Sequence, residues 1–244
     1  MATEIGEVEA IFRYPVKSMG GERLAAAAVG WHGIDGDRRL AFRRLDDRSG
    51  FPWLSAGKLP ELVLFAPQRV ADSAPEDLPT HIRTPQGKDL PVFGEELAAE
   101  VERRYGSPVE MMQLKHGIFD EASISVIASE TVREISRLAG QSADVRRFRP
   151  NVVVRLRRPA AFQEDEWVGG VLTFGEGNDA PAIYVTMRDE RCSMVNLDPD
   201  SASAAPEMLK AVVRVNQNKA GIYGALIRTG RVAVGQRVML HAAV

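Results

Sequence analysis

RRFRPNVVV, residues 146–154, contains the clearest structural signal in this chain. The three consecutive valines at its end, Val152 to Val154, have β-branched side chains that favour strands, and an unbroken apolar run of this kind is typical of a strand buried on both faces. The basic residues immediately before them lie at the entrance to that strand. Because desolvated charge is costly, a basic cluster next to a core strand needs an anionic partner. The stretch therefore predicts a buried strand that begins beside an anion.

The basic half of the same stretch predicts a binding face. In an extended chain alternate residues share a face, so Arg147, Arg149 and Asn151 are expected to project together, with Phe148 on the opposite side. Two guanidinium groups and one amide on a single face can bind a phosphate or a carboxylate. The alternative is a charged strand edge that is simply solvated.

Strand patterns also dominate outward from this stretch, separated by Gly, Pro and Asp turns. The predicted strands are VEAIFRYPV (8–16), RRLAFRRL (38–45), ELVLFAP (61–67), NVVVRL (151–156), AIYVTM (182–187), GIYGALI (221–227) and QRVMLHAAV (236–244). Three helices are predicted: EELAAEVERRYG (95–106) with Leu97 and Val101 on one face, ASETVREISRLAG (128–140) between Ser129 as N-cap and Gly140, and PEMLKAVVRVN (206–216) with Pro206 in its first turn. This balance predicts a β-rich α+β fold with β-barrel character and a few short helices.

The length of 244 residues allows one large domain or two smaller ones. We place a division near residue 115, which gives an N-terminal β-barrel-like domain over 1–115 and a second domain over 116–244. A polar, Pro-rich stretch, QRVADSAPEDLP (68–79), is predicted to be a surface loop.

Charge and hydropathy exclude several classes of function. The chain has 31 Lys and Arg against 33 Asp and Glu, so it lacks the basic excess typical of nucleic-acid-binding proteins. No apolar run is long enough to cross a bilayer, and the acidic start lacks the basic residues of a targeting peptide. We therefore expect a cytoplasmic protein that binds neither nucleic acid nor membrane.

The single cysteine, Cys192, excludes an internal disulfide and a self-contained iron–sulfur cluster, and the four histidines show no zinc spacing. Any redox metal must then come with an organic group that supplies most of its ligands. Cys192 lies near a strand end, and the neighbouring Arg188 and Arg191 would favour the thiolate that ligates metals. The alternative is a small buried hydrophobe.

Three further segments carry groups that can bind anions. In GIDGDRRLAFRR (33–44), Arg38 shares a face with core residues, so it needs a bound anion or an internal carboxylate such as Asp35 or Asp37. In RYPVKSMGGE (13–22), Lys17 and Ser18 stand before flexible glycines, a composition suited to phosphate although it is not a Walker loop. FDEASISV (119–126) offers hydrogen-bonding groups at Glu121 and Ser123.

Taken in order, these segments resemble the molybdenum cofactor sulfurase C-terminal (MOSC) family, and within it the group of the mitochondrial amidoxime-reducing component and bacterial YcbX. The matching stretches are YPVKS (14–18), GIDGDRR (33–39), RRFRPNVVV (146–154), RC with DPD (191–200) and GIYGALIRTGRVAVGQRV (221–238). The resemblance covers nearly the whole chain. It implies a MOSC β-barrel domain preceded by a β-rich, MOSC-associated domain.

The resemblance also implies a molybdenum cofactor, Mo-molybdopterin, held between the two domains with Cys192 as the protein ligand of the metal. The expected cofactor-binding residues are Lys17, Ser18, Arg38, Arg149 and Asn151 by matching position, Arg147 from the predicted face, and Glu121 and Ser123 at the place of a family Asp-Thr-Ser stretch. The chain departs from the family at Ala122, where threonine is usual, and at Val195 and Asn196, where a Thr-Thr pair is usual.

The activity implied is the reduction of N-hydroxylated or N-oxygenated small molecules. With one cysteine in the chain, the electrons are expected from a separate donor protein that carries flavin, haem or an iron–sulfur cluster. Two alternatives remain open: a sulfur transferase that carries a persulfide on Cys192, and a non-catalytic carrier of the cofactor.

Overall fold

The computed structural model describes residues 2–69 and 77–242. Within these ranges the chain forms sixteen strands and three α-helices. The strands are β1 (Ala2–Arg13), β2 (Glu22–Leu24), β3 (Ala26–Gly30), β4 (Gly33–Ile34), β5 (Leu40–Arg44), β6 (Ala66–Gln68), β7 (His81–Arg83), β8 (Asp89–Pro91), β9 (Val109–Gln113), β10 (Ile124–Ala128), β11 (Val152–Leu156), β12 (Val171–Phe174), β13 (Ala182–Glu190), β14 (Lys219–Arg228), β15 (Gly230–Ala233) and β16 (Arg237–His241). The helices are α1 (Glu95–Tyr105), α2 (Ser129–Leu138) and α3 (Glu207–Asn216).

Most of the long strands form one closed sheet. Its strand order is β11-β10-β14-β13-β12-β16-β1, and an antiparallel pairing of β1 with β11 closes the seven strands into a barrel, while β2 extends the sheet beside β1. Side chains along a barrel strand point alternately to the interior and to the outer face, so each strand contributes every second side chain to the core. Val8, Val154 and Ile183 are among the buried residues that fill it, together with Trp167.

The register of β1 shifts close to Gly6, between Glu4 and Gly6 against β16 and between Val8 and Ala10 against β11. A Cβ at this position would lie 2.1 Å from the backbone oxygen of Arg155, so only glycine allows the two strands to approach this closely. Bulges of this kind give a sheet the curvature that closure requires. Since β1 pairs with β11 and β16, the N-terminal segment is part of the barrel. The division near residue 115 stays a prediction.

The buried valine strand, β11, runs parallel to β10, and α2 provides the crossover between them. Helices α2 and α3 pack on the outside of the barrel over a second apolar cluster. Gly140 takes a left-handed backbone just after α2, as predicted. Ser129, however, is the first residue of the helix rather than its N-cap, because Ala128 still has the extended backbone of β10.

The remaining strands build a smaller group around a third apolar cluster. Strand β5 pairs with β9, β6-β7-β8 form a three-stranded sheet, and α1 packs against them with Leu97 and Val101 buried, as predicted. Strands β3 and β4 join β15 in another small sheet. The prediction of a strand over ELVLFAP was wrong for its first part, where Pro60–Leu64 form a 3-10 helix, because Pro60 fixes a backbone angle suited to a helix start.

The β-rich α+β prediction is confirmed, including a closed barrel and a β-rich N-terminal part. The predicted strand ending at 244 is present as far as His241, and residues 243–244 lie outside the described ranges. Of the predicted loop over 68–79, residues 70–76 also lie outside them. None of the helices in the described parts of the chain is long and apolar enough to span a membrane.

Candidate functional site

The turn before β11 differs from its predicted form. Val145–Arg147 make one turn of 3-10 helix, which begins where the Asp144 side chain accepts a hydrogen bond from the backbone N–H of Arg146 (2.9 Å). Arg149 then has a left-handed backbone, with a φ of 51°. The prediction of an extended stretch with three side chains on one face was therefore wrong. Pro150 explains why the helical turn cannot continue, because proline disfavours the α conformation in the residue before it.

Asn151 lies at the centre of a paired polar network below this turn. Its Nδ2 donates to Asp37 Oδ2 (3.0 Å) and to the backbone oxygen of Phe12 (3.3 Å). Its Oδ1 accepts from the backbone N–H of Ser125 (3.1 Å). Both Asn151 and Asp37 are only 1% exposed. The amide therefore ties β1, β10 and the approach to β5 together, and it does not line the cleft described below.

Arg38 belongs to the same network. Its guanidinium pairs with Asp37, and its Nη2 donates to the backbone oxygen of Arg149 (3.1 Å). Burial opposes the charge, but Asp37 keeps the pKa of Arg38 above its ordinary value. Of the partners that the sequence left open, the structure therefore contains the internal carboxylate, and it is Asp37 rather than Asp35.

A cleft of about 230 Å³ opens beside this network, and it is lined by residues of the second apolar cluster, such as Tyr14, and by residues packed against the third, such as Leu64. Its walls include Tyr14, Leu64, Arg147, Arg149 and Met194. Among the described residues, Tyr14 Oη and Arg147 Nε are buried without a hydrogen-bond partner, and both belong to this lining. Buried polar atoms are nearly always paired. A polar ligand in the cleft would supply the missing partners.

Arg149 gives the cleft a positive charge without a close counter-ion. Its guanidinium lies 4.1 Å from the centroid of the Tyr14 ring, and its Nη1 donates to the backbone oxygen of Met19 (2.6 Å). No Asp or Glu in residues 2–69 and 77–242 forms an ion pair with it. Burial lowers the pKa of Arg149 to about 10. Arg147 differs, because Asp198 is 2.8 Å from its Nη2.

The segments that carry the other predicted residues meet close to the cleft and to the polar network beside it. Lys17 Nζ donates to Asp120 Oδ1 (2.8 Å), with the lysine side chain only 9% exposed. Ser18 is buried and has a left-handed backbone. Glu121 is exposed, and Ser123 is half-buried against the β3–β4 turn. The structure therefore brings Lys17 to the segment before β10 through Asp120, not through Glu121.

Cys192 is exposed at the end of β13, where a 3-10 turn over Ser193–Asn196 begins. The alternative of a buried hydrophobe is therefore wrong. The adjacent Arg191 is buried, and its Nη1 donates to the backbone oxygen of Phe148 (2.6 Å). This hydrogen bond joins the cysteine segment to the turn that carries Arg149. The 3-10 turn after the cysteine then places Met194 in the cleft wall.

The two arginines that the sequence assigned to the cysteine have carboxylate partners of their own. Arg191 pairs with Asp189 (2.7 Å) and Arg188 with Asp165 (3.3 Å). Their charges are therefore shared with these acids. The cysteine segment is linked to the cationic cleft instead by the hydrogen bond from Arg191 to the neighbouring turn and by the one from Arg147 Nη1 to the backbone oxygen of Asn196 (3.0 Å).

Sequence reasoning missed several residues at or near the site. Tyr14, whose ring both guanidinium groups contact, stands in the YPVKS stretch but carries no charge that would single it out. Asp120 is next to the predicted Glu121, and only the fold shows which acid reaches Lys17. The histidines looked scattered, yet His32 Nε2 and His116 Nδ1 lie 3.2 Å apart. The described residues contain no group of three His, Cys, Asp or Glu side chains suited to a metal.

Comparisons with known proteins agree with this architecture. The MOSC domain family matches residues 113–239, and the MOSC N-terminal beta barrel domain family matches residues 5–123. Among solved structures the chain is similar to the YUAD protein from Bacillus subtilis, with 15% identity over 100% of this chain and 99% of that one and a TM-score of 0.54. YiiM from Geobacillus stearothermophilus matches 49% of this chain and 54% of its own, with 18% identity and a TM-score of 0.38. No curated protein matches the chain.

Proposed function

The chain belongs to the MOSC domain family, and from that premise we propose that it is a molybdenum-cofactor-dependent oxidoreductase that reduces N-hydroxylated or N-oxygenated small molecules. MOSC domains are in general associated with binding of the molybdenum cofactor. The finer activity is our inference from the site together with the resemblance of its motifs. Electrons would come from a separate donor protein.

The observation that supports this most directly is the uncompensated charge of Arg149 in the cleft. Arg149 is half-buried, and a partly desolvated guanidinium without a carboxylate partner is unfavourable unless an anion arrives to share its charge. Tyr14 Oη and Arg147 Nε add two unpaired polar atoms to the same lining. A chelate with a terminal phosphate offers what these groups lack: negative charge and several hydrogen-bond acceptors. The residues present therefore fit the cofactor that the family implies.

Each residue then has a separate task. Arg149 and Lys17 would bind the phosphate, and Arg38, fixed by Asp37, would hold the backbone of Arg149 in its left-handed conformation through the 3.1 Å hydrogen bond. Cys192 would offer its exposed sulfur as a soft ligand to the metal. The bound cofactor supplies the two-electron chemistry at the N–O bond, and the protein supplies binding and orientation. Overall, two electrons and two protons convert the N-hydroxyl group to an N–H group and water.

The proposal is tested by the composition and activity of the purified protein. Expressed in a host that makes the cofactor, the protein should contain molybdenum and pterin in equal amounts. With an artificial reductant it should reduce benzamidoxime to benzamidine. Cofactor without turnover on any N-hydroxylated compound would indicate a carrier instead. Protein that lacks both molybdenum and pterin would refute the binding site itself.

Replacing the cysteine separates the metal ligand from the rest of the site. We expect Cys192→Ser to lower benzamidoxime reduction by at least about 100-fold. The metal would lose its sulfur ligand from the protein, and the reactivity of a metal depends on its ligands. The free energy of unfolding should change by less than about 0.5 kcal/mol, since Cys192 is exposed. Ser193→Ala, at the next exposed position, is the matched control. Equal turnover in Cys192→Ser and the control would remove the cysteine from the mechanism.

The exposure of Cys192 also favours a second candidate, sulfur transfer. A persulfide carrier needs a thiol that a donor and an acceptor can both reach, and this thiol is accessible. Mass spectrometry of the native protein distinguishes the two functions. A persulfide adds one sulfur atom to Cys192 that a thiol reductant removes, whereas a metal-ligand cysteine carries no additional sulfur.

A further inference from the structure

Lys17 and Asp120 form an ion pair between two segments that are far apart in the sequence. Lys17 follows β1, and Asp120 lies between β9 and β10 in a stretch without regular secondary structure. The Nζ–Oδ1 distance is 2.8 Å. The two side chains differ sharply in exposure, at 9% for the lysine and 67% for the aspartate. A well-shielded cation is thus covered by an acid that is itself largely open to solvent.

The field around Asp120 comes from more than this one lysine. Desolvation works against ionisation of the carboxyl group, but Lys17, with Arg38 and Arg149 further away, holds the pKa of Asp120 below its ordinary value. Two of these three cations, Lys17 and Arg149, are the ones that we assign to the cofactor phosphate. Within the described residues, Lys17 forms an ion pair with no other carboxylate. The Asp120 carboxylate therefore lies where three cations attract negative charge.

We propose that Asp120 is a built-in competitor for this anion site: its carboxylate takes the place of a phosphate oxygen beside Lys17 and has to move aside when a phosphate group binds. The inference rests on the proposed function for the identity of the ligand, a phosphate monoester. Asp120 then sets both the affinity of the site and its preference for anions of higher charge. A monovalent anion is attracted too weakly by the cations of the site to displace the aspartate, whereas a dianion is attracted more strongly.

Breaking the ion pair between Asp120 and Lys17 costs little free energy, for structural reasons. An ion pair with one largely exposed partner contributes little to stability, because water solvates the freed carboxylate. The segment around Asp120 is bound to the rest of the protein at its two ends. Ile118 donates through its backbone N–H to the backbone oxygen of Arg38 (2.8 Å), and Gly33 packs against Ser123. The side chain can therefore turn towards solvent while the backbone of the segment stays in place.

The test is a titration with inorganic phosphate of protein made in a host that lacks the cofactor, at a pH where phosphate is mainly a dianion. Calorimetry should show Asp120→Asn binding phosphate about fivefold or more tightly than the wild type, because a like charge near the ligand is removed. The gain should shrink as sodium chloride is added. Lys17→Gln should weaken binding. Glu110→Gln, which removes an exposed charge on β9, is the matched control and should leave binding unchanged.

The sign of the effect decides the inference. Weaker or equal phosphate binding by Asp120→Asn would overturn it, since the aspartate would then organise Lys17 rather than compete for it. An equal gain in Glu110→Gln would also overturn it, because the effect would be one of net charge. The proposed function fails separately: tighter phosphate binding by Asp120→Asn, in a protein that never contains molybdenum or pterin, would support the competitor and refute the cofactor.

Discussion

Two polar regions meet at the ring of Tyr14, and they differ in how completely their charges are paired. In one region Arg38 lies 5.2 Å from the ring centroid and is neutralised by Asp37, which also binds Asn151. In the other region Arg149 lies 4.1 Å from the centroid and has no ion-pair partner among the described residues. Their pKa values move in opposite directions, upward for Arg38 and down to about 10 for Arg149.

The difference separates residues that build the site from residues that remain free to bind. A buried group whose hydrogen bonds are all made within the protein positions its neighbours and has little capacity left for a ligand. Asn151, which the family resemblance places among the cofactor ligands, is such a group here. Arg149 retains donors that face a cleft. In this chain we therefore expect Asn151 and Asp37 to govern stability, and Arg149 and Lys17 to govern affinity.

The largest expected effect comes from opening the paired network. Asp37→Ala would leave Arg38 without its carboxylate and the backbone N–H of Tyr14 without its acceptor, both inside the protein. Breaking a buried ion pair from one side costs about 3–5 kcal/mol, and chemical denaturation should show a loss of that order in the free energy of unfolding. The matched control is Asp35→Ala, two residues earlier and exposed. If both variants lose the same amount, the internal carboxylate has been misassigned.

A smaller effect is expected at a buried acid that has no cation. Glu164 is 0% exposed, accepts hydrogen bonds from Thr131 Oγ1 (2.8 Å) and the backbone N–H of Ala128 (3.3 Å), and burial raises its pKa from 4.5 to about 7. An acid with a raised pKa binds its proton more tightly in the folded state, so stability falls as the pH rises from about 4.5 to about 7.

Glu164→Gln removes this titration. We expect the variant to be more stable than the wild type by on the order of 2 kcal/mol at pH 8, with the difference shrinking towards pH 5. Denaturation curves measured across this range check the expectation, with the exposed Glu166→Gln as the control. A difference that stayed constant with pH would show that burial does not shift the pKa of Glu164 from its unfolded value.

The barrel was predictable because its strands carry their signal locally. The valines of β11 are buried on both faces, and their unbroken apolar run in the sequence already indicates this burial. Strands β13 and β14, which pair over nearly their whole length, were predicted instead from their β-branched and aromatic content. ELVLFAP shows the limit of this reasoning, because a short apolar run after a proline is compatible with a 3-10 helix as well as with a strand.

The site was predictable as a set of residues but not as an arrangement of charges. The sequence indicated that Arg38 needs an anion but could not choose between a ligand and Asp37, because that choice depends on how the chain approaches β5. It could not show that Arg149 lacks a partner or that Asp120 reaches Lys17, since both facts arise from segments more than one hundred residues apart that only the closed barrel brings together. A family resemblance shows which positions correspond, whereas the ion pairs that these residues form depend on how the chain folds.

The smallest effect on stability should accompany a large effect on binding, at Arg149. Arg149→Gln removes a half-buried charge that has no ion-pair partner among the described residues, and this relief offsets the lost contacts with the Tyr14 ring and the Met19 oxygen. The free energy of unfolding should therefore change by less than about 1 kcal/mol. Phosphate affinity and cofactor content should nevertheless fall about tenfold or more, because a bidentate charged donor is lost. Arg157→Gln, at an exposed position on the barrel, controls for net charge. Unchanged phosphate binding, or a loss of stability as large as that of Asp37→Ala, would place Arg149 in the paired network and remove the distinction between the two polar regions that meet at Tyr14.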